Sequence, residues 1–262
     1  IYATLLPEHC TTVCGVDVAV SGDASPGLSR VLDELGLPAP SQPPALRVLS
    51  EDPVWRDAGV VRINTGCPYR CDYCASHFLN GTYRSGSGEE AFEAVCEIAD
   101  RHRTRNFAFY DDALLYRAES GFDVFLERVI GSGRQLNFHL PNAVHARYLD
   151  TERAGAMRRA GFRDIRIGYE SASAGFHADH GEKYGIGDVA GAVASLRTAG
   201  FSSEEVTLYV LAGLPGQDVD ELERSIRYAA ELGARVEIAE FSPVPRTKLW
   251  ERCVTSSRYP IG

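Results

Sequence analysis

Short runs of β-branched and aromatic residues alternate with longer amphipathic stretches from about residue 59 onward. Within 89–103, for example, Phe92, Val95 and Ala99 recur at helical spacing and share one apolar face. The alternation predicts six strands separated by five helices. The predicted strands are 60–64, 106–110, 136–139, 165–169, 206–211 and 236–241, and the predicted helices are 89–103, 122–130, 150–160, 189–198 and 218–232.

This alternation is typical of a parallel sheet with helices packed outside it, so the predicted fold class is α/β. Six such units fit either an open doubly wound sheet or a partial barrel, and the pattern alone does not separate the two. Both architectures bind ligands at the carboxyl ends of the strands. We therefore expect the functional side chains at that edge of the sheet.

Residues 1–40 follow a different pattern. Leu6-Pro7-Glu8 predicts the start of a helix, 16–20 a short strand and 28–35 a second helix, which is too little to fold alone. The sequence begins with Ile1, so an upstream segment is expected, and four prolines between 38 and 44 predict a stiff linker. The predicted organisation is an α/β domain remnant at 1–40, a linker at 41–58, a core at 59–250 and a tail at 251–262.

Composition and charge narrow the function classes. The 262 residues are 44% hydrophobic and 24% charged, which is ordinary for a soluble globular protein. A formal net charge of −9 argues against a nucleic-acid binder that works by broad electrostatic attraction, so a small-molecule substrate is expected. No apolar run reaches the roughly 20 residues of a membrane helix, and no secretory leader is visible. Seven cysteines, an odd number, favour a metal site in a reducing cytoplasm over a disulfide framework.

Three of the cysteines form a compact loop directly after the first predicted strand. Cys67, Cys71 and Cys74 have the spacing Cys-x-x-x-Cys-x-x-Cys. Thiolates hold iron–sulfur clusters, and electron carriers of the ferredoxin type use four of them. Three ligands leave one iron with an open coordination position, as in catalytic metal sites. The alternative is a zinc loop, which requires a fourth ligand for which His77 is the only close candidate.

The loop, with the aromatic Tyr73 just before its third cysteine, resembles the signature of the radical S-adenosylmethionine superfamily. The resemblance covers about residues 55–250 and implies a partial (β/α)6 TIM-like barrel. It implies a 4Fe–4S cluster on the three cysteines, with S-adenosylmethionine chelating the open iron. It further implies a low-potential electron donor such as flavodoxin or ferredoxin, and a 5′-deoxyadenosyl radical that abstracts hydrogen from the substrate.

Acidic residues end two of the predicted strands. Tyr110-Asp111-Asp112 stands where the superfamily has a Gly-Gly-Glu-like stretch that contacts the amino group of S-adenosylmethionine. This chain lacks those glycines, and its Phe-Tyr-Asp-Asp form resembles the cobalamin-type members instead. Glu170 and Ser171 resemble a pair that contacts the ribose or methionine part of the same cofactor. The residues alone also fit helix N-caps, although their place at the carboxyl edge favours function. Asp111 is therefore a catalytic and cofactor-binding candidate, and Asp112, Glu170 and Ser171 are cofactor-binding candidates.

Two further strand ends resemble adenine contacts of the superfamily. Ala212 and Gly213 lie in the turn Leu-Ala-Gly-Leu-Pro-Gly, and Phe241 and Ser242 follow the last predicted strand. Generic turns explain both segments almost equally well. His139, after the third strand, is a candidate catalytic residue that faces substrate, although a lone histidine is often structural.

The front of the chain, including 15–24, is similar to the last part of a Rossmann-like cobalamin-binding domain that precedes the barrel in one class of the superfamily. That resemblance implies cobalamin as a cofactor of the full-length protein, although most of the domain is absent from this sequence. The class includes methyltransferases as well as ring-forming and rearranging enzymes, so the substrate and reaction stay open. The competing hypothesis is a non-catalytic iron–sulfur or metal-binding module for electron transfer, with four protein ligands.

Overall fold

The computed structural model describes residues 1–22, 24–38, 58–181, 183 and 185–258. It contains one sheet of six strands, of which each pairs in parallel with the next. The strands are β1 (Ala58–Val61), β2 (Asn106–Phe109), β3 (Asn137–His139), β4 (Phe162–Glu170), β5 (Val206–Ala212) and β6 (Arg235–Glu240). The helices are α1 (Tyr2–Leu5), α2 (Pro7–Thr12), α3 (Ala24–Glu34), α4 (Ser76–Leu79), α5 (Gly88–His102), α6 (Phe122–Ser132), α7 (Thr151–Ala160), α8 (Ala174–His180), α9 (Ile186–Thr198), α10 (Val219–Glu231) and α11 (Lys248–Ser256).

The order of the strands identifies the architecture. The spatial order is the chain order from β1 to β6, without the reversal that defines a doubly wound sheet. Because parallel crossovers are right-handed, an unbroken order places all crossover helices on one face of the sheet. Among the described residues β1 and β6 do not pair, so the sheet is an open part of a barrel. The predicted α/β fold with six parallel strands is confirmed.

The helix-covered face of the sheet holds the core. Phe109, Phe138 and Phe162 are fully buried, with ring centroids 5.1 to 5.9 Å apart. Each such phenylalanine buries enough apolar surface to contribute about 2–3 kcal/mol to folding. The opposite, inner face carries mostly small and polar residues, for example Ala108 next to Phe107 and Phe109 on β2, with Val60 and Leu211 as larger apolar members. The large residues thus fix the helices behind the sheet and leave the inner face free for other contacts.

The helix ends follow from local chemistry. The Asp150 side chain accepts a hydrogen bond from the Arg153 N–H and begins α7, and the Asp218 side chain accepts one from the Asp220 N–H and begins α10. Gly161 ends α7 with φ 102°, as its place after the helical pattern predicts. All five predicted helices of the core are present, with ends that coincide with the prediction or differ from it by one to three residues.

The N-terminal segment differs from its prediction. Helices α1 and α2 contain the predicted start at Pro7, and α3 overlaps the predicted 28–35. The predicted strand at 16–20 is wrong: Val16 and Val18 are 43% and 50% exposed, and no strand among the described residues lies beside them to complete a ladder. The domain remnant remains a prediction. None of the described helices is both long and apolar enough to cross a membrane.

Two predicted domain limits, those of the linker and of the C-terminal tail, can be placed against the observed elements. The linker 41–58 lies outside the described residues except for Ala58, which begins β1. The predicted start of the tail, at 251, falls inside α11, which runs from Lys248 to Ser256. The last helix is therefore continuous across the predicted limit.

Candidate cofactor site

The cysteine loop leaves β1 at the carboxyl edge of the sheet. Gly66, at φ 77°, turns the chain where a Cβ would lie 3.0 Å from the Thr82 carbonyl oxygen. Cys71 is buried, and Cys67 and Cys74 are partly buried. The Cys74 N–H donates to the Cys71 carbonyl at 3.0 Å, which closes a turn between the last two cysteines. The loop is thus compact and faces the strand ends.

The protonation of these thiols matters because only thiolates bind metal. Burial raises the pKa of the Cys67 thiol to about 11, although a backbone hydrogen bond from Tyr69 and the charge of Lys183 act in the opposite direction. Burial also raises the pKa of Cys71. Metal binding must therefore displace protons. Among the described residues, no three histidine, cysteine or acidic side chains converge as around a single ion. A cluster does not require such convergence, because each thiolate binds a different iron.

A polar network holds the middle of the loop. Asp72 accepts from the Lys248 Nζ at 2.8 Å and lies 3.7 Å from the His180 Nδ1, and its carbonyl accepts from the Leu249 N–H at 3.1 Å. The loop is therefore fixed by the end of α8 and the start of α11. These partners lie more than 100 residues away in sequence and have no motif, so sequence reasoning did not find them.

Gly181 lets the end of α8 approach the loop. Its φ is 124°, and a Cβ there would lie 3.2 Å from the Cys71 Cα and 3.4 Å from its Sγ. Gly181→Ala should therefore destabilise the protein by about 1–3 kcal/mol and lower the iron bound on reconstitution. Urea unfolding and iron analysis measure the two effects. Gly191→Ala, in α9 with nothing within 4 Å, is the matched control and should leave stability equal or raised by up to about 1 kcal/mol. Equal behaviour of the two variants would contradict the close approach.

Tyr73 and Phe176 pack beside the loop. Their rings stack with centroids 6.2 Å apart and planes at 20°. Phe176 belongs to α8, and Ser173 begins that helix by accepting from the Phe176 N–H. The predicted aromatic position thus contacts α8, and its role toward a cofactor remains a prediction.

Asp111 and Asp112 bind the two ends of the cysteine loop. The Asp111 carboxyl is 3% exposed and accepts from the backbone N–H groups of Asn64, at 2.5 Å, and Ile63, at 3.2 Å. Asp112 accepts from the Ser76 hydroxyl at 3.2 Å and from the Asn80 amide at 2.6 Å. Both carboxyls therefore stabilise the segments that flank the cysteines.

The raised pKa of the buried Asp111 carboxyl predicts that the stability of the protein depends on pH. Burial raises the pKa of this carboxyl to about 7, although the two backbone hydrogen bonds act to lower this pKa. An acid whose pKa is higher folded than unfolded binds a proton on folding between about pH 4 and pH 7. Its contribution to stability is therefore lost as the pH rises through that window, by about 1.4 kcal/mol per pH unit. Asp111→Asn should gain stability relative to the wild type across this window and run parallel to it above the window, which urea unfolding at stepped pH would show.

Asp100→Asn is the comparison variant, because the pKa of Asp100 is shifted in the direction opposite to that of Asp111. A hydrogen bond from Arg134 holds the pKa of Asp100 below its ordinary value, so its contribution is lost only as the pH falls through the acid range. A stability difference between Asp111→Asn and the wild type that does not change with pH would contradict a raised pKa of Asp111.

Glu170 is paired with a lysine that sequence reasoning missed. The Lys183 Nζ donates to the Glu170 Oε1 at 3.1 Å, and the two side chains are only 15% and 11% exposed. Burial alone lowers the pKa of Lys183, but Glu170 and the nearby Cys71 raise it above its ordinary value. Glu170 has φ 66°, where the β4–β5 register shifts, and Gly168 leaves room for its carboxylate. The pair places a positive and a negative group beside the cysteines.

Ser171 turns away from this pair. Its hydroxyl donates to the Glu221 Oε1 at 2.7 Å, and Ser225 donates to the Glu221 carbonyl while accepting from the Ala172 N–H. These contacts dock the end of β4 on α10. Ser171 is fully buried, and its predicted cofactor role remains a prediction.

The remaining candidates lie along the same edge. The Phe241 N–H donates to the Ala212 carbonyl at 2.8 Å, so the ends of β5 and β6 lie side by side. Gly213, at φ 87°, has its N–H bound by the Gln217 side chain. His139 lies on the inner face of β3, in register with Ala108 and Asp164. Ser242 directly follows Phe241. The structure thus brings the candidates from all six strands to one edge or to the inner face.

Comparison with solved structures supports the architecture. The fold is similar to TsrM of Kitasatospora setae, a radical S-adenosylmethionine methyltransferase, with TM-scores of 0.80 and 0.81 and 16% identity. One TsrM structure contains cobalamin and a 4Fe–4S cluster, the other tryptophan and an S-adenosylmethionine analogue. These matches cover 99% of this chain and 60% and 58% of TsrM. OxsB, a cobalamin-dependent radical enzyme, matches 78% of this chain and 30% of its own with a TM-score of 0.55.

The sequence matches one curated relative and one protein family. An uncharacterised methyltransferase of Pyrococcus horikoshii is 25% identical over 203 residues, which are 76% of this chain and 42% of the relative. The chain therefore spans less than half the length of this relative. The profile of the Radical SAM superfamily matches residues 61–229, which include the cysteine loop, both aspartates and the Glu170–Lys183 pair. The predicted family is confirmed, and the chain belongs to the radical SAM superfamily.

Proposed function

We propose that this chain cleaves S-adenosylmethionine reductively at a 4Fe–4S cluster held by Cys67, Cys71 and Cys74, and starts radical chemistry on a small molecule. The observation that carries this proposal is the three-thiol loop at the carboxyl edge of a parallel sheet, inside the region that matches the superfamily. When bound, the cluster and S-adenosylmethionine would supply one electron and a carbon-centred radical. A low-potential donor such as flavodoxin or ferredoxin would provide the electron, which fits a reducing cytoplasm.

The chain's own residues would prepare the site for these groups. Lys183 lowers the pKa of Cys67 and Cys71, so its ammonium favours the thiolate forms that iron requires. Asp111 and Asp112 bind the backbone and side chains on either side of the loop and keep the three thiols in place. Their proposed role is to position the loop. The adjacent ends of β5 and β6, with Ala212 and Phe241, remain the proposed adenosine side of the site.

We further propose that the full-length protein is a cobalamin-dependent methyltransferase. The support is the extent of the fold likeness, which covers 99% of this chain in TsrM but 78% in OxsB. The likeness to TsrM therefore includes the N-terminal segment before the barrel. The full-length protein should show the absorbance change of protein-bound cobalamin on titration, and its absence would contradict methyl transfer through cobalamin.

Anaerobic reconstitution tests the first proposal. The reconstituted and reduced chain should convert S-adenosylmethionine to 5′-deoxyadenosine, or to S-adenosylhomocysteine if it methylates. Adding S-adenosylmethionine should also change the electron paramagnetic resonance spectrum of the reduced cluster, because the cofactor occupies the open iron. An intact cluster that cleaves nothing under several reductants, with an unchanged spectrum, would favour an electron-transfer module instead.

A further inference from the structure

The inner face of the sheet is not packed like the interior of a closed barrel. Closed barrels are filled by layers of bulky branched side chains. Here the inner face carries Ala108, Gly168 and Ala239 between its polar residues, and its bulky apolar residues on the same strands include only Val60, in register with Ala108, and Leu211, in register with Ala239. Gly168 is in register with Tyr209, and Tyr209 with Glu237, so these positions share the face. The polar side chains there remain partly exposed, so a ligand can reach them.

Four polar side chains of three strands meet on this face, and we call them the inner polar group: Asp164, Arg166, Tyr209 and Glu237. The Arg166 Nε donates to the Asp164 Oδ2 at 3.3 Å, and its Nη1 donates to the Tyr209 hydroxyl at 2.5 Å. The Glu237 Oε2 lies 3.9 Å from the same Nη1. Arg166 is 30% exposed and Glu237 48%, so the group is accessible.

The inner polar group contains hydrogen-bond donors and a carboxylate acceptor that its internal contacts do not fully use. Within the described part of the chain, the Arg166 Nη2 has no hydrogen-bond partner. Tyr209 accepts from Arg166, which leaves its own O–H to donate elsewhere. Two donors side by side suit a carboxylate, which arginine binds in a fork. Asp164 is the closer of the two carboxylates to the guanidinium, at 3.3 Å against 3.9 Å, so the more exposed Glu237 carboxylate can also accept from a ligand cation.

We propose that the inner polar group binds the head group of a zwitterionic substrate of the α-amino-acid type. Its carboxylate would lie on Arg166 and Tyr209, and its ammonium on Glu237. This inference rests on the proposed function, which needs a substrate held inside the sheet. Arg166 precedes Glu170 by four residues on β4, which is roughly 13 Å along the strand. The head group would therefore lie deep in the sheet, with the reacting part of the substrate directed toward the cysteine edge.

Binding of matched probes tests the assignment without turnover. The reconstituted protein is saturated with S-adenosylmethionine but not reduced, so that the cofactor's own amino-acid part fills its site and no cleavage occurs. The probes are L-phenylalanine, 3-phenylpropionate and phenethylamine, and the unbranched series L-norleucine, hexanoate and pentylamine. Ligand-observed NMR gives their affinities. In at least one series the amino acid should bind about tenfold more tightly than the probe lacking either charge.

Two variants should each abolish the recognition of one charged group of the amino acid. Arg166→Gln should lower the affinity of the amino acid to that of the amine, and Glu237→Gln should lower it to that of the acid. Arg163→Gln, exposed on the same strand and outside the group, should change neither. If Arg166→Gln folds poorly by circular dichroism, Arg166→Lys keeps the charge without the fork and should give an intermediate loss.

Equal affinities within both series, no binding in either, or variants that weaken all three probes alike would overturn the assignment. The proposed function fails by a different result, namely no spectral change on adding S-adenosylmethionine and no cleavage after reduction. Cofactor cleavage by the wild type in the absence of any probe reports on the proposed function alone, so the two failures are distinguishable.

Discussion

Replacing Cys71 with alanine should remove the cluster from the reconstituted protein and reduce S-adenosylmethionine cleavage by at least about 1,000-fold. Three thiolates are the fewest that hold a 4Fe–4S cluster with one open iron, so the loss of one leaves two irons without protein ligands. Cys71 is the buried member of the loop, with Lys183 and Gly181 against it, so no water-exposed donor can take its place. Iron and sulfide analysis, together with product chromatography, measure the two effects.

The chain supplies a matched control for this experiment. Cys96→Ala removes the same side chain from α5, where the cysteine is partly buried and far in sequence from the loop. Both that variant and the wild type should bind about four irons per chain and cleave the cofactor at equal rates. Retention of a full cluster by Cys71→Ala would show that another residue is a ligand, and the three-cysteine assignment would then be wrong.

Glu170→Gln should lower the free energy of unfolding of the cluster-free protein by about 3–5 kcal/mol. The substitution keeps the shape of the side chain but leaves the Lys183 ammonium without its carboxylate partner 3.1 Å away. Removing one member of a buried ion pair costs this much because the other charge stays buried. Urea unfolding at neutral pH, with an unchanged dependence on urea concentration, measures the loss.

Two further variants distinguish charge burial from a general effect of the substitution. Glu223→Gln breaks the pair with Arg227, whose side chains are 66% and 65% exposed, and should change stability by less than about 0.5 kcal/mol. The double variant Glu170→Gln with Lys183→Met leaves no buried charge and should recover most of the loss. A double variant as unstable as Glu170→Gln alone would show that the cost comes from something other than the loss of the Glu170 carboxylate beside the Lys183 ammonium.

Much of the fold could be predicted because its signals are local. Each strand and helix of the core carries its own periodicity, and caps such as Asp150 and Gly161 lie next to the elements they end. The cysteine loop is local in the same sense, since three ligands fall within eight residues. The choice between a doubly wound sheet and a partial barrel was not local. It depends on the spatial order of the strands, which no single segment encodes.

The side chains around the loop were not predictable for the same reason. Lys183 is a single lysine in a polar stretch, and only the fold brings it to Glu170. Lys248, at the end of the barrel sequence, and His180, in its second half, both contact Asp72 near its start. The strand predicted at 16–20 is wrong for the opposite reason. Its local pattern favours a strand, but the described residues offer no neighbouring strand with which it could pair.

The separate places of Glu237 and the cysteine loop have a kinetic consequence. Strand β6 is at least partly exposed along its whole length, and the Glu237 side chain on it is 48% exposed. Glu237 can thus be reached from the flank of the sheet, whereas the cysteine loop is reached from the strand tips. A substrate and a cofactor that approach by separate routes need not wait for one another. We therefore expect random-order binding, with reaction product able to leave while the nucleoside product is still bound.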